Sequence, residues 1–222
     1  MSDRVSVAMI TKNEERAVAS VIEDIRKHAP QAEIIIVDSS TDRTPEIAAS
    51  LGARVIRQFP PRGYGRAMDR ALRAAAGEAI VTLDCDNTYP AEMIPVMARY
   101  ILEEGYDLVD GSRLARKPKA MPWVNYLANR GFAGLASLLF WRRVTDLHSG
   151  MRAYKRSLVR GLDYDPGGPA LPVELLLKPL KLGCRIKFLF IDYRDRLGTS
   201  TLQPLGSAWW TLRRILTTRF RA

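Results

Sequence analysis

The stretch Ala79-Ile-Val-Thr-Leu-Asp84-Cys85-Asp86-Asn87-Thr-Tyr-Pro90 decides how this chain is read. Ala79 to Leu83 is a short apolar run with β-branched residues, the pattern of a buried strand. It stops at two carboxylates one residue apart, followed by Asn87, Thr88 and Pro90, which turn the chain. In extended backbone, residues i and i+2 project to the same side, so Asp84 and Asp86 can aim at one point beyond the strand. In an open α/β sheet that point lies in the ligand crevice. Two such carboxylates repel each other unless a cation sits between them. A hard divalent ion carrying substrate phosphates answers that need. The plainer reading is an acidic turn capping the helix expected from Ala91.

Working outward, the composition belongs to an ordinary globular protein. The 222 residues suit one large domain or a domain with an extension, at 47% hydrophobic and 26% charged. Cys85 and Cys184 are the two cysteines, too few for a disulfide framework or a zinc site. The start, Met-Ser-Asp-Arg, runs straight into a strand, so no secretory leader is expected there. No apolar run is long enough for a membrane-spanning helix. The formal charge of +10 favours an anionic partner: nucleic acid, an acidic lipid surface or a phosphorylated substrate. Arg113, Arg116, Lys117 and Lys119 cluster after the middle, and Arg213, Arg214, Arg219 and Arg221 crowd the end.

Before the decisive stretch, the pattern alternates strands and helices. Val5–Ile10 and Glu33–Val37 read as strands, the second continuously apolar as a buried parallel strand should be. A helix is expected after the first, capped by Thr11 or Asn13 and running to about His28. Further helices are expected over Pro45–Leu51, Arg66–Ala76 and Ala91–Glu104, with short strands at Arg54–Arg57 and Asp107–Ser112. This order predicts a right-handed, mostly parallel sheet covered by helices. Residues 113–122 are basic and contain prolines; Trp123–Phe140 is a long apolar, partly amphipathic helix. The polar turn Asp146-Leu-His-Ser-Gly150 follows, then a helix over Val173–Leu182 and a strand over Cys184–Tyr193. From Ser207 a basic helix carries Trp209 and Trp210 beside its arginines. The expected division is a catalytic domain over 1–204 and an amphipathic helix over 205–222.

Single signals are weak, but their order is specific. Asn13-Glu14 after the first strand, Asp38 with Ser-Thr-Asp-x-Thr after the second, a Gly-rich turn and Asp84-x-Asp86 form one series. That series resembles the family-2 glycosyltransferases of GT-A fold, a Rossmann-like sheet with helices on both faces. Gly111-Ser-Arg113, Asn129-Arg130-Gly131, Asp146-x-x-Ser149-Gly-Met-Arg152-Ala-Tyr154, Val173-Glu-Leu-Leu and Arg196-x-Gly-x-Ser200 narrow it. These are similar to the dolichyl- and polyprenyl-phosphate mannosyl- and glucosyltransferase branch.

The resemblance implies a GDP- or UDP-hexose donor such as GDP-mannose or UDP-glucose, Mg²⁺ or Mn²⁺, and a lipid phosphate acceptor. It implies that Thr11, Glu14 and Asp38 contact base and ribose. It further implies that Asp84, Cys85 (through its backbone) and Asp86 hold the nucleotide, with Asp84 and Asp86 on the metal. Arg113, Arg130 and Arg196 would face the phosphates, Asn129 and Ser200 would join Arg130 on the acceptor, and Asp86, Arg130 and Arg196 would be the catalytic group. The chemistry agrees: carboxylates accept from ribose hydroxyls, and arginine offers a planar fork to phosphate. A peripheral position on the cytoplasmic face of a membrane follows, and a membrane-anchoring partner subunit is compatible with it.

Other readings remain open at this point. Glu14 and Asp38 fit a first-turn acid and a turn former, and Arg113 fits a solvated charge. Asp146 and Ser149 fit a loop-shaping role, and Glu174 fits a simple arginine partner. The tail helix fits equally a membrane-surface element and one packed on the domain with a solvated basic face. A saccharide or other hydroxyl acceptor would require a carboxylate base, for which Asp146 is the candidate. A nucleotidyltransferase would show a Gly-rich phosphate loop after the first strand, and Thr11-Lys-Asn-Glu-Glu is not one. A nucleic-acid binder fits the charge, but no nucleic-acid module or aromatic stacking platform accompanies it.

Overall fold

Strand residues of alternating destination show how the sheet is covered. The computed structural model describes residues 4–197 and 204–221. In β1 (Val5–Thr11), Val7 and Met9 enter one core and Ala8 the other; in β2 (Glu33–Asp38), Ile34 and Ile36 oppose Ile35 and Val37. β4 (Ala79–Thr82) repeats this with Val81 against Ile80. With period two and both faces buried, a strand must be apolar throughout, as these are.

One core lies under α1 (Val18–His28), α2 (Thr44–Ser50) and α4 (Met93–Leu102). The other lies under α3 (Tyr64–Ala74), α5 (Trp123–Phe140), α6 (Arg156–Gly161), α7 (Leu171–Lys181) and α8 (Pro204–Phe220). The remaining strands are β3 (Arg54–Arg57), β5 (Leu108–Ser112), β6 (Arg152–Lys155) and β7 (Ile186–Phe190). The order across the sheet is β3-β2-β1-β4-β6-β5-β7, parallel except for β6, which runs against both neighbours. This is the mostly parallel α/β sheet expected, with helices on both faces.

The differences from the sequence reading have local causes. β6 was not anticipated, because four residues containing an arginine do not read as a central strand. Arg152 is nevertheless almost wholly buried, since Asp110 lies directly across the β5–β6 register and binds its Nε at 2.6 Å. α1 starts at Val18 rather than after a Thr11 or Asn13 cap. Asn13 sits in left-handed backbone and gives its side-chain oxygen to the Thr41 amide, while the Thr11 hydroxyl donates to Asp38, so neither faces the helix.

The tail helix packs on the domain. Ile215 is fully buried against the second core, and the buried Arg214 pairs with Glu174 of α7, the arginine partnership open for Glu174 from sequence. Arg219 donates from Nε to the Leu139 carbonyl of α5 at 2.7 Å. Its outer face still exposes Trp209, Leu216 and Phe220.

Candidate active site

In this strand order the chain leaves β1 toward β2 on one side and returns to β4 on the other. The C-terminal ends of β1 and β4 therefore flank a switch point, where such sheets leave a crevice. The predicted residues after β1 and β4 meet there.

The end of β2 is closed. Thr11 and Asp38 are register partners, and the Thr11 hydroxyl donates to Asp38 Oδ1 at 2.7 Å. The Ser40 hydroxyl donates to the same oxygen at 2.6 Å, and the Ser40 amide to Oδ2 at 3.1 Å. Arg57 pairs with Oδ2 as well. Asp38 is fully buried and each oxygen has two donors. These contacts tie the loops after β1, β2 and β3, and the ribose contact expected for Asp38 would have to displace one of the four donors.

The end of β4 is different. Asn87 adopts left-handed backbone at φ 68°, so the chain doubles back and Asp86 Oδ1 accepts the Thr88 amide at 3.1 Å and hydroxyl at 2.5 Å. Asp86 Oδ2 faces Arg196 Nη1 at 3.3 Å, and Arg196 Nη2 reaches Glu14 at 3.2 Å. One guanidinium therefore bridges the acids after β1 and β4. The Arg196 segment is fastened across the strand ends by the Leu197 amide on the Asp86 carbonyl, at 3.0 Å, and by Arg194 paired with Asp24 and Glu92.

Asp84 sits against Gly150. A Cβ placed on Gly150 would lie 2.7 Å from Asp84 Oδ2, so this position excludes a side chain. Burial first, then the charges of Asp86 and Glu14, push the Asp84 carboxyl up to about 7 against the pull of Arg113 and Arg196. Burial also raises Glu14, opposed by Arg196. The local excess of carboxylate is the chemistry that a divalent cation relieves, so Asp84 and Asp86 fit a metal as its two protein ligands. Among the described residues there is no larger cluster of three ligating groups. Phosphate oxygens would have to complete such a shell. Cys85 between them points into the core, where burial raises its thiol, leaving only its backbone for the crevice.

The arginines divide. Arg113 lies buried in a two-point pair with Asp146, Nε to Oδ2 at 2.7 Å and Nη2 to Oδ1 at 3.0 Å, and its guanidinium lies over Tyr193 at 5.3 Å. It is no solvated surface charge. Asp146 is fully buried, with both oxygens on Arg113, which holds it below the usual carboxylate range despite its burial, so its charge serves the ion pair. Ser149 donates to the Gly111 carbonyl, which confirms loop shaping for it. Arg130 is exposed on α5, reaching the Leu114 carbonyl at 3.5 Å and the Tyr126 hydroxyl at 3.4 Å, and Asn129 contacts Met121 Sδ at 3.9 Å. Both border the basic 113–122 segment rather than the carboxylate pair. Ser200 lies outside the described residues.

Two tyrosines belong to the site without having been singled out. Tyr64, at the start of α3, has its phenol raised by burial and then by Asp84. The Tyr89 hydroxyl accepts the Gly150 amide at 2.7 Å, holding the glycine against Asp84. The nearest sequence signals are the Gly63-Tyr64-Gly65 turn and the placement of Tyr89 three residues past Asp86.

Comparison with known proteins agrees with this geometry. The model of the family described as Glycosyl transferase family 2 matches residues 6–162. A dolichyl-phosphate hexose transferase of Haloferax volcanii is 42% identical over 92% of this chain and 89% of its own length. A dolichol-phosphate mannosyltransferase of Pyrococcus furiosus is 32% identical over 79% of this chain, spanning 53% of that protein. Among solved structures, glucosyl-3-phosphoglycerate synthase from Mycobacterium tuberculosis, in complex with Mn²⁺, UDP and glucosyl-3-phosphoglycerate, superposes with a TM-score of 0.73. It is 26% identical, over 97% of this chain and 78% of that one.

Proposed function

This chain belongs to glycosyl transferase family 2 and is a glycosyltransferase of GT-A fold, and from that premise we propose that it transfers a hexose from a GDP- or UDP-sugar to a polyprenyl phosphate with inversion at the anomeric carbon. The observation that carries the reading is the excess of carboxylate at the switch point, where Asp84 lies beside Asp86 and Glu14 and a single arginine bridges the latter two. The 42% identity to a dolichyl-phosphate hexose transferase supports the lipid acceptor.

Asp84 and Asp86 would hold a Mg²⁺ or Mn²⁺ ion, which supplies Lewis-acid neutralisation of the departing diphosphate. Glu14 accepts from the ribose hydroxyls, with Thr11 beside it, and the Cys85 backbone lies along the nucleotide. Arg196 exchanges Glu14 and Asp86 for the diphosphate, meeting charge as it develops. Arg113, fixed by Asp146 and Tyr193, presents an oriented cation to the donor phosphates. Arg130, with Asn129, would face the acceptor phosphate. One acceptor oxygen forms the new bond to the anomeric carbon as the bond to the nucleoside diphosphate breaks. A phosphate monoester has its second pKa near 6, so the acceptor is already mostly dianionic at pH 7 and needs no base. That fits the engagement of Asp146 in an ion pair.

The acceptor reading includes a membrane surface. No helix among the described residues is long and apolar enough to cross a bilayer. α5 exposes Trp123, Val124 and Leu127, and α8 exposes Trp209, Leu216 and Phe220, beside Lys117, Arg213 and Arg219. Tryptophan next to cations suits the headgroup level of an anionic bilayer. Peripheral attachment on the cytoplasmic face is the localisation proposed, and nucleic acid is not a partner in this reading.

A donor screen tests the whole. GDP-mannose and UDP-glucose are added with Mg²⁺ or Mn²⁺, thermal shift is read, and transfer to a short polyprenyl phosphate is then assayed. The expected result is a metal-dependent shift with one donor and transfer to the lipid. No shift with any nucleotide sugar overturns the donor assignment. A solved neighbour named for phosphoglycerate gives the second arm: transfer to 3-phosphoglycerate and not to the lipid would replace the acceptor.

A further inference from the structure

Away from the crevice, a groove of about 620 Å³ opens between residues 161–165, α7 and α8. Its charges do not balance locally. Lys178 lies 2.9 Å from Glu174, and Arg214 pairs with that same Glu174 and lies 3.4 Å from Asp165. Those four account for one another. Lys181, Arg213 and Arg221 also line the groove, and among the described residues none has a carboxylate within ion-pair distance. Among the described residues, Lys181 donates to the carbonyl oxygens of Thr218, at 3.3 Å, and Arg221, at 2.7 Å. Arg213 rests over the Trp210 ring at 5.5 Å. The remaining acid on the wall, Asp163, is open to solvent and lies 4.0 Å from Lys178, so it faces none of these three cations.

A second observation points the same way. Thr218, 5% exposed and on the groove wall, has a buried hydroxyl without a hydrogen-bond partner. A buried polar atom left so is destabilising unless something meets it. An ammonium and a guanidinium lining one groove, with an unmatched hydroxyl buried behind its wall, offer donors suited to the oxygens and double charge of phosphate. The volume exceeds what phosphate alone needs, and Leu162, Leu182 and Trp210 supply apolar wall for an ester.

We propose that this α7–α8 groove is a second anion site, taking a phosphate ester at Lys181, Arg213 and Thr218, separate from the transfer site. The ester is carried either by a lipid headgroup or by a small phosphorylated molecule. On α8, Trp209, Arg213, Leu216 and Phe220 fall at helical spacing on one face, so Arg213 belongs to the exposed stripe and to the groove mouth. A bilayer meeting that stripe would set the mouth at headgroup level. This last point rests on the membrane reading; the phosphate site does not.

The test uses the full chain and two probes. Inorganic phosphate is titrated at constant ionic strength with thermal shift as readout. Vesicles of phosphatidylcholine with a minority of phosphatidylglycerol are followed by co-sedimentation. The variants are Lys181→Gln/Arg213→Gln and Thr218→Val; Lys27→Gln/Arg99→Gln on the opposite sheet face removes equal charge as a control. Crevice arginines respond to phosphate in every variant and set a common background. The expected result is about a tenfold loss of response in both groove variants and none in the control, the size of a charge-assisted contact.

Loss in the phosphate arm assigns the site to free phosphate esters, and loss confined to vesicles assigns it to headgroups. Thr218→Val fills the same volume without the hydroxyl, so its unliganded midpoint should hold or rise. Responses equal to wild type in both arms overturn the site. If Trp209→Ala/Phe220→Ala abolishes no vesicle binding while the phosphate difference persists, the membrane reading falls and the groove stands.

Discussion

Two strand ends of this molecule carry an aspartate after an apolar run, and they have opposite electrostatics. At the end of β2, Asp38 is enclosed by two hydroxyls, an amide and Arg57, so its charge is spent inside the fold. At the end of β4, Asp84 and Asp86 share the field of Glu14 with too few cations, and Asp84 is pushed up to about 7. The same residue type after the same kind of strand builds the scaffold in one place and a ligand site in the other. What separates them is the count of donors, not the aspartate itself.

Substitutions at the two ends should therefore fail in opposite ways. Asp84→Asn/Asp86→Asn should lower transfer about 10³-fold, the scale of losing a metal or an oriented electrostatic contact, while the unfolding midpoint holds or rises. Asp38→Ala should do the reverse. It leaves buried hydroxyls and Arg57 unmatched and should cost about 3 kcal/mol, lowering the midpoint by roughly 10 °C. If Asp38→Ala keeps its midpoint and loses donor binding instead, the contrast drawn here is broken. Asp146→Asn sharpens it further: a stability loss of about 2 kcal/mol, with an unchanged shape of the pH–rate profile, marks a positioning residue for Arg113.

A smaller effect tests the back of the Asp146–Gly150 turn. Burial lowers His148 to about 4, and its Nε2 meets the Thr211 hydroxyl of α8 at 2.8 Å. The unfolded chain protonates this group near 6.5 and the folded chain does not until about 4. Stability is thus drawn down as pH falls through that window and is flat above it, by about 3 kcal/mol in total. Phe132 faces the ring edge-on, and Asp146, Arg113 and Arg152 are the charges that act on it. His148→Gln should flatten that part of the stability–pH curve; an unchanged slope would contradict the assignment.

Much of this was legible in the sequence because it depends on neighbours in the chain. Trp123–Phe140 appears as a helix over the expected residues, opened by Pro122 and closed at Trp141 in left-handed backbone. The carboxylates at i and i+2 could be read because strand geometry places them. What could not be read was pairing at long range. Arg113 finds Asp146 33 positions away, and Arg152 finds Asp110 42 positions away; no local pattern encodes either. For the same reason no local pattern shows β6, or the closure of Thr11 and Arg57 on Asp38.

The central claim is that Asp84 and Asp86 hold a divalent ion together with the diphosphate of a nucleotide. Mn²⁺ titrated into the protein with GDP or UDP, and followed by loss of the free-ion paramagnetic resonance signal, tests it directly. The expected result is nucleotide-dependent Mn²⁺ binding in the wild type that disappears in Asp84→Asn/Asp86→Asn. Equal binding in both proteins would contradict it.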